Sequence, residues 1–267
     1  MKKLFINIGI IIPVLSICFF GFNLFGNNPK VQKNEACCIP QQNVNQSLYP
    51  VMNEPNPDFG YGLGTRFNNN LSLDQIRAAK TVNDLIPDNK GKIFHSFENV
   101  QVSVFGESGE ITEASNGKML SASQLALLKT LKYSSDFNIH AQCKRIIEGE
   151  ENAIDYNLVY YITVVPEQQA EYIEGKEKLI EYLKSNSINR TSEIGKNELK
   201  SGMLHFVVST EGSIENIRMA SSCGLESLDD KMKELILSTS GQWKSAKNSK
   251  SEPVEQELVY FYGMIGC

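Results

Sequence analysis

From Met203 to Met219 the chain alternates, turns and alternates again. Leu204, Phe206 and Val208 interleave with His205 and Val207, Glu211-Gly212 follows, and Ile214, Ile217 and Met219 come after it. A two-residue repeat dictates a strand, because successive side chains of extended backbone point to opposite faces. An acidic residue followed by glycine is a hairpin turn signal. The spacing slips at Asn216, which predicts a bulge or a late strand start there. Ser227 is placed to cap a helix whose Leu228, Met232, Leu235 and Ile236 share one face. Glu255 to Tyr262 then reads as a last strand added to the hairpin. The expected architecture for this part is a three-stranded antiparallel sheet packed with two helices on one face. The other helix is predicted from Glu167 to Ser185, where Tyr172, Ile173, Leu179, Ile180 and Leu183 recur at helical spacing and Glu174 precedes Lys178 by four.

An earlier unit begins at Leu71. Ser72-x-x-Gln75 is a capping box with Leu71 and Ile76 as its hydrophobic staple, and predicts a short helix to about Lys80. Val100 to Phe105 alternates as a strand, Glu107 to Glu110 turns it, and Asn116-Gly117 is a second turn signal. Ser121-x-x-Gln124 repeats the capping box, with Leu120 and Leu125 as staple, for a helix ending near Tyr133. Phe137, Ile139, Ala141 and Cys143 share one face of the next strand, and Asn138, His140, Gln142 and Lys144 the other. Tyr156 to Val165 is apolar on both faces and reads as a central strand. Pro166 separates the two units, and the fold class expected for the chain is α+β.

Ahead of both units, Leu4 to Phe25 runs without a charge behind Lys2 and Lys3. At 1.5 Å per residue this run reaches about 33 Å, enough to cross a bilayer. The lysines place the N-terminus in the cytoplasm and the remainder on the far side, so the expected localisation is the inner membrane, single pass, with the bulk of the chain in the periplasm. A cleaved signal is the alternative reading of residues 1–26. Residues 27–70 hold five of the nine prolines, many Asn and Gln, and Gly60-Tyr-Gly-Leu-Gly64. That composition predicts a flexible linker.

A net charge of -5 and a pI near 5.4 argue against duplex nucleic acid as a partner. Cys37, Cys38, Cys143, Cys223 and Cys267 follow the apolar run. No CxxC is present, and a Cys223 to Cys267 bridge stands beside a buried free thiol as the two readings of Cys223. His95, His140 and His205 have no metal-ligand spacing, and no nucleophile elbow occurs. No catalytic residue, metal site or cofactor is expected, and the chain does not read as an enzyme.

Two resemblances are carried by these residues. The segment 166–263, with Ser201-Gly-Met-Leu-His-Phe-Val-Val-Ser-Thr-Glu-Gly-Ser-Ile-Glu-Asn-Ile-Arg-Met-Ala-Ser221, the helix after it and Gln242-Trp243-Lys244, resembles the C-terminal domain of TonB-type energy transducers. The segment 71–165, with Ser115-Asn-Gly-Lys-Met-Leu120 before a helix and a closing Tyr-Tyr-Ile-Thr-Val-Val, is similar to the C-terminal domain of the gliding-motility protein GldM. The second resemblance implies a β-rich, immunoglobulin-like unit in a periplasmic protein. The first implies energy transduction: docking to an outer-membrane receptor by strand addition, in support of transmembrane transport. It points to Glu255, Gln256, Glu257, Leu258, Val259, Tyr260, Phe261 and Tyr262 as the candidate edge strand, with Tyr260 and Tyr262 as anchors or as cover for the sheet. Trp243 reads as a packing residue, although the prolines that commonly flank it in the family are absent. The family's membrane histidine is also absent from Leu4 to Phe25. Inner-membrane motor subunits and self-association are further possible partners. The alternative is a structural or adaptor component of a gliding or secretion envelope machine.

Overall fold

Both capping boxes close as their spacing predicts. Ser72 Oγ accepts from the Gln75 amide at 3.2 Å while Gln75 Oε1 accepts from the Ser72 amide at 2.8 Å, and Ser121 and Gln124 do the same at 3.2 and 3.0 Å. The computed structural model describes residues 59–86, 93–106, 109–146, 152–191 and 200–264, all in one compact unit. In chain order these form β1 (Phe59–Gly64), β2 (Asn69–Ser72), α1 (Leu73–Ala78), a 3-10 turn (Val82–Leu85), β3 (Ile93–Gly106), β4 (Gly109–Ser115) and α2 (Ala122–Leu128). Then come β5 (Asp136–Ile146), β6 (Ile154–Val165), β7 (Glu171–Tyr172), α3 (Lys176–Thr191), β8 (Ser201–Val208), β9 (Ile214–Ser221) and α4 (Glu226–Leu237). The last elements are β10 (Trp243–Lys244), β11 (Ala246–Lys247), β12 (Pro253–Val254) and β13 (Gln256–Met264). The fold is mixed α+β, with many strands and few helices.

Among the described residues the first half forms one five-stranded sheet in the order β2-β6-β5-β3-β4. Its inner face buries Val100, Val102, Phe137, Ile139, Leu158 and Ile162 against Ile76, Leu85 and Leu128 from the short helical segments. Fully burying a side chain of this size stabilises by roughly 1.5–3 kcal/mol. Gln124 is itself fully buried, and its Nε2 donates to the Val100 and Glu113 carbonyls at 3.0 and 3.2 Å. The capping residue thereby ties α2 to β3 and β4. A sheet covered by helices is not the expected immunoglobulin-like pair of packed sheets. The apolar positions opposite the strands come from α1, the 3-10 turn and α2, so helices occupy the place of a second sheet.

β6 is not the central strand. That position belongs to β5, whose Phe137, Ile139, Ala141 and Cys143 are buried as predicted while His140, Gln142 and Lys144 are exposed. β6 pairs with β2, in parallel, over Ile162–Val165. Further up the strand Val159 and Tyr161 are 44% and 42% exposed, which is why an apolar run on two faces misread as a buried one.

The second half is a four-stranded antiparallel sheet, β1-β13-β8-β9, among the described residues. Leu204, Phe206, Val208, Leu258 and Tyr260 pack against Leu179, Leu183, Leu228, Met232 and Ile236 of α3 and α4. Three boundaries differ from the periodicity, among them the end of α3, at Thr191 rather than Ser185. α3 starts at Lys176 rather than Glu167, because Tyr172 pairs with Trp243 in a short ladder and Gly175, at φ +89°, turns the chain with its amide bonded to the Tyr172 carbonyl at 2.8 Å. Leu225, not Ser227, sits at the N-cap of α4.

The largest correction concerns the segment read as linker. Residues 59–64 are a strand, and 69–70 begin another. Phe59, Tyr61 and Leu63 alternate with glycines and are 1%, 2% and 8% exposed. Three glycines in six residues read as a turn-rich composition, and the period-2 pattern between them is masked by it. The fourth strand therefore comes from ahead of the first sheet rather than from the C-terminal segment. The chain passes between the sheets at 65–68. There the Phe67 amide donates to Thr163 Oγ1 at 3.1 Å and the Arg66 guanidinium pairs with Asp136 at 3.3 Å. The Glu257 amide in β13 donates to Ser134 Oγ at 2.8 Å, a second link. Among the described residues no helix is long and apolar enough to cross a membrane; residues 1–26 and most of the linker lie outside them.

Candidate docking surface

β13 lies between β1 and β8, so from Val259 onward the expected free edge is filled on both sides. Leu258, Val259, Tyr260 and Tyr262 pair with Phe206, His205, Leu204 and Gly202 across one ladder. Val259, Phe261 and Tyr262 pair with Gly64, Gly62 and Tyr61 across the other. The expectation that Glu255 to Tyr262 presents unpaired backbone is thus overturned by β1 from Val259 to Tyr262, whereas Gln256, Glu257 and Leu258 have their ladder partners in β8. Glu255 is exposed and precedes the strand. Gln256 is buried, and its Oε1 accepts from the Ala170 amide at 2.7 Å.

Alternation divides the remaining candidates. Leu258, Tyr260 and Tyr262 face the helices. Tyr260 and Tyr262 are 0% and 2% exposed, so they are core residues and not surface anchors. Their ring centroids stack 5.4 Å apart, and burial pushes both phenols well above the usual tyrosine range. Trp243 is buried as predicted, edge-on to Tyr172 and Phe206, with its indole N–H donating to Thr239 Oγ1 at 3.0 Å.

Glu257, Val259 and Phe261 face the other way. There Glu257 meets His205 of β8 and Arg218 of β9. His205 Nδ1 is 2.8 Å from Glu257 Oε1 and 3.1 Å from an Arg218 amino nitrogen, which is 2.8 Å from Glu257 Oε2. Carrying a proton, Nδ1 donates to the carboxylate; without one, it accepts from the guanidinium. Burial raises the Glu257 carboxyl, but His205 and Arg218 outweigh it and hold the group below the usual glutamate range. The cluster pins three strands together on the face away from α3 and α4, where Val259 is also buried.

A second polar hub lies at the start of α4. Asp229 accepts from Ser222 Oγ at 2.5 Å, the Cys223 amide at 3.1 Å and the Tyr262 hydroxyl at 2.5 Å. Burial raises its carboxyl, yet these donors pull it below the ordinary aspartate value. Cys223 is a free thiol, fully buried; burial and then Asp229 push it up to about 12, so it carries no thiolate at neutral pH. This is the buried-thiol reading of Cys223; Cys267, its possible bridge partner, lies outside the described residues. Cys143 is buried and His140 exposed on opposite faces of β5, which separates a thiol from the nearest imidazole. Among the described residues no three His, Cys, Asp or Glu side chains gather as metal ligands.

The two outer strands of this sheet differ. β9 carries a left-handed residue at Asn216, φ +50°, and its register with β8 shifts at two places, as the slipped spacing predicts. Bulges and exposed Glu215 and Arg218 make that edge a poor template for another strand. β1 is regular, pairing rung by rung from Phe59 with Met264 to Gly64 with Val259. No family model, curated protein or solved structure matches this chain.

Sequence reasoning missed Phe59, Tyr61 and Leu63, whose alternation is a usable signal once the glycines between them are read as strand residues. It also missed Asp229 and Ser134. Their links to Tyr262 and to the Glu257 amide span 33 and 123 residues, so no local pattern marks those contacts.

Proposed function

We propose that this is a membrane-anchored periplasmic protein resembling TonB-type energy transducers, which docks an outer-membrane partner by strand addition to support transport. The reading rests on the resemblance of 166–263 to that domain and on one observation: the inner strand β13 accepts an extended segment from elsewhere, β1, through antiparallel backbone pairing. Main-chain pairing of this kind gives affinity to any strand that fits, and the flanking side-chain sites give selectivity. The GldM-like reading of 71–165 adds a periplasmic spacer, and residues 1–26 supply the anchor.

A second reading is a structural or adaptor component of a gliding or secretion envelope machine. It is favoured by the links at Ser134 and Arg66, which tie the two sheets where a freely tethered docking domain needs no such contact. A photo-reactive phenylalanine analogue at Phe261, and separately at Ala220 on β9, tests the two in intact native cells. Recovery of an outer-membrane protein from either position supports docking. Recovery of only inner-membrane or periplasmic scaffold proteins sinks it and favours the second reading.

A further inference from the structure

We infer that the groove between β13 and α3 is a strand-exchange site. β1 is its resident occupant, and the incoming partner is an extended protein segment with large apolar side chains at alternate positions and glycine or another small residue between them. The inference rests on the docking reading and names the chemistry of the docked segment.

The groove and its occupant come from different parts of the chain. α3, β8, β9, α4 and β13 all lie between Lys176 and Met264, whereas β1 arrives from ahead of the five-stranded sheet. The hairpin, the final strand and both helices contribute most of one core, to which β1 adds Phe59, Tyr61 and Leu63. β1 is held on the backbone side by its ladder with β13 and on the side-chain side by Phe59, Tyr61 and Leu63, which enter the core. The Tyr61 hydroxyl sits 3.0 Å from Ser187 Oγ on α3, so the middle site takes an aromatic with a polar tip. Gly60 and Gly62 face the other side and are buried even without side chains; Gly62 lies opposite Phe261. The burial of the backbone at these two positions is the observation from which the small residues of the pattern are inferred.

The composition of β1 also makes it replaceable. Glycine gives up more backbone freedom than any other residue on entering a strand, so a six-residue strand that is half glycine is weakly held by its own propensity. A partner with the same large residues and fewer glycines that still fits meets the same sites at lower entropic cost. The other outer strand, β9, offers no comparable template because of its bulge.

The test uses the full chain in detergent, with Cys18, Cys37, Cys38 and Cys267 replaced by serine, and a fluorescent peptide copying residues 58–65 as probe. A second form adds Gly62→Cys and Phe261→Cys, facing positions in the ladder, to lock β1 in place when oxidised. The expected result is saturable binding to the unlocked chain, loss of at least tenfold in affinity on oxidation of the locked form, and recovery on reduction. Tyr61→Ala, which loosens the resident strand, is expected to tighten apparent binding at least tenfold, since apparent affinity scales with the open fraction. A peptide of the same composition in scrambled order, and one with valines at the three glycine positions, are expected to bind at least tenfold more weakly. Equal binding to oxidised and reduced locked chains overturns the inference, and so does binding of the valine peptide as tight as the native one. Sedimentation that shows stable dimers of the unlocked chain, abolished by the lock, also overturns it by making a second copy the occupant. In cells, an outer-membrane crosslink at Ala220 that persists in the locked chain overturns exchange and leaves docking intact. Peptide exchange without any outer-membrane crosslink does the reverse.

Discussion

The Tyr262 hydroxyl donates to Asp229 Oδ1 at 2.5 Å, joining the last strand to the first turn of α4 through the core. Tyr262→Phe removes that donor while keeping the ring that stacks on Tyr260. A hydrogen bond to a charged acceptor is worth roughly 1.5–3 kcal/mol. Urea denaturation is expected to show a loss of about that size with an unchanged slope.

Acid is expected to act through the same carboxyl. Asp229 titrates below 3.8 in the folded chain, so the unfolded chain binds the proton first as pH falls. Its stabilising contribution is complete above about 4 and disappears as pH drops through the folded value. Melting temperatures from pH 7 to pH 2 check this: Asp229→Asn lowers the pH 7 value and removes part of the decline on the acid side.

Asp136 is expected to run in the opposite direction. Burial raises its carboxyl above 3.8, against the opposing pull of Thr163 and Arg66. The folded chain therefore holds the proton to higher pH, and stability from this group falls as pH rises through the folded value. Asp136→Asn retains an acceptor for Thr163 and gives up an ion pair whose arginine is 50% exposed, a contact worth about 0–1 kcal/mol. Its melting temperature at pH 7 is expected to match or exceed the native one; a large drop counts against the assignment.

The hairpin turn requires glycine at position 212. Gly212 has φ +81°, and a Cβ there runs into the Trp243 carbonyl. Gly212→Ala is expected to cost about 1–3 kcal/mol by backbone strain and displacement of Trp243, read as a lower denaturation midpoint and an altered tryptophan emission.

Glu257 and Arg218 should couple only modestly. Their contact is 2.8 Å, but Arg218 is 55% exposed. A double-mutant cycle with Glu257→Gln and Arg218→Ala is expected to give about 1 kcal/mol or less, and less again at high salt.

How far the chain could be read from its sequence follows from the range of each interaction. Both capping boxes, the inward face of β5, the apolar face of α4 and the slip at Asn216 depend on residues within a few positions of one another, and the structure shows each of them. The start of α3 was misplaced because Tyr172 takes its partner, Trp243, from a distant segment. β6 was misplaced because an apolar side chain does not say whether a sheet neighbour extends along the whole strand. For the candidate site, β13 and its pairing with the hairpin follow from the sequence and its second neighbour does not: whether a strand edge stays open is decided by whichever segment reaches it.

The sequence alone determined the hairpin, the final strand, the two short capped helices and a fold of mixed α and β elements, because period, turn residues and caps act locally on the backbone. The tertiary structure alone decided that β13 is interior, that Tyr260 and Tyr262 are core, and that His205, Arg218 and Glu257 meet. The reason is that backbone donors and acceptors at a strand edge are satisfied by any extended segment in reach, and here that segment is Phe59–Gly64, nearly two hundred residues upstream of the strand it completes.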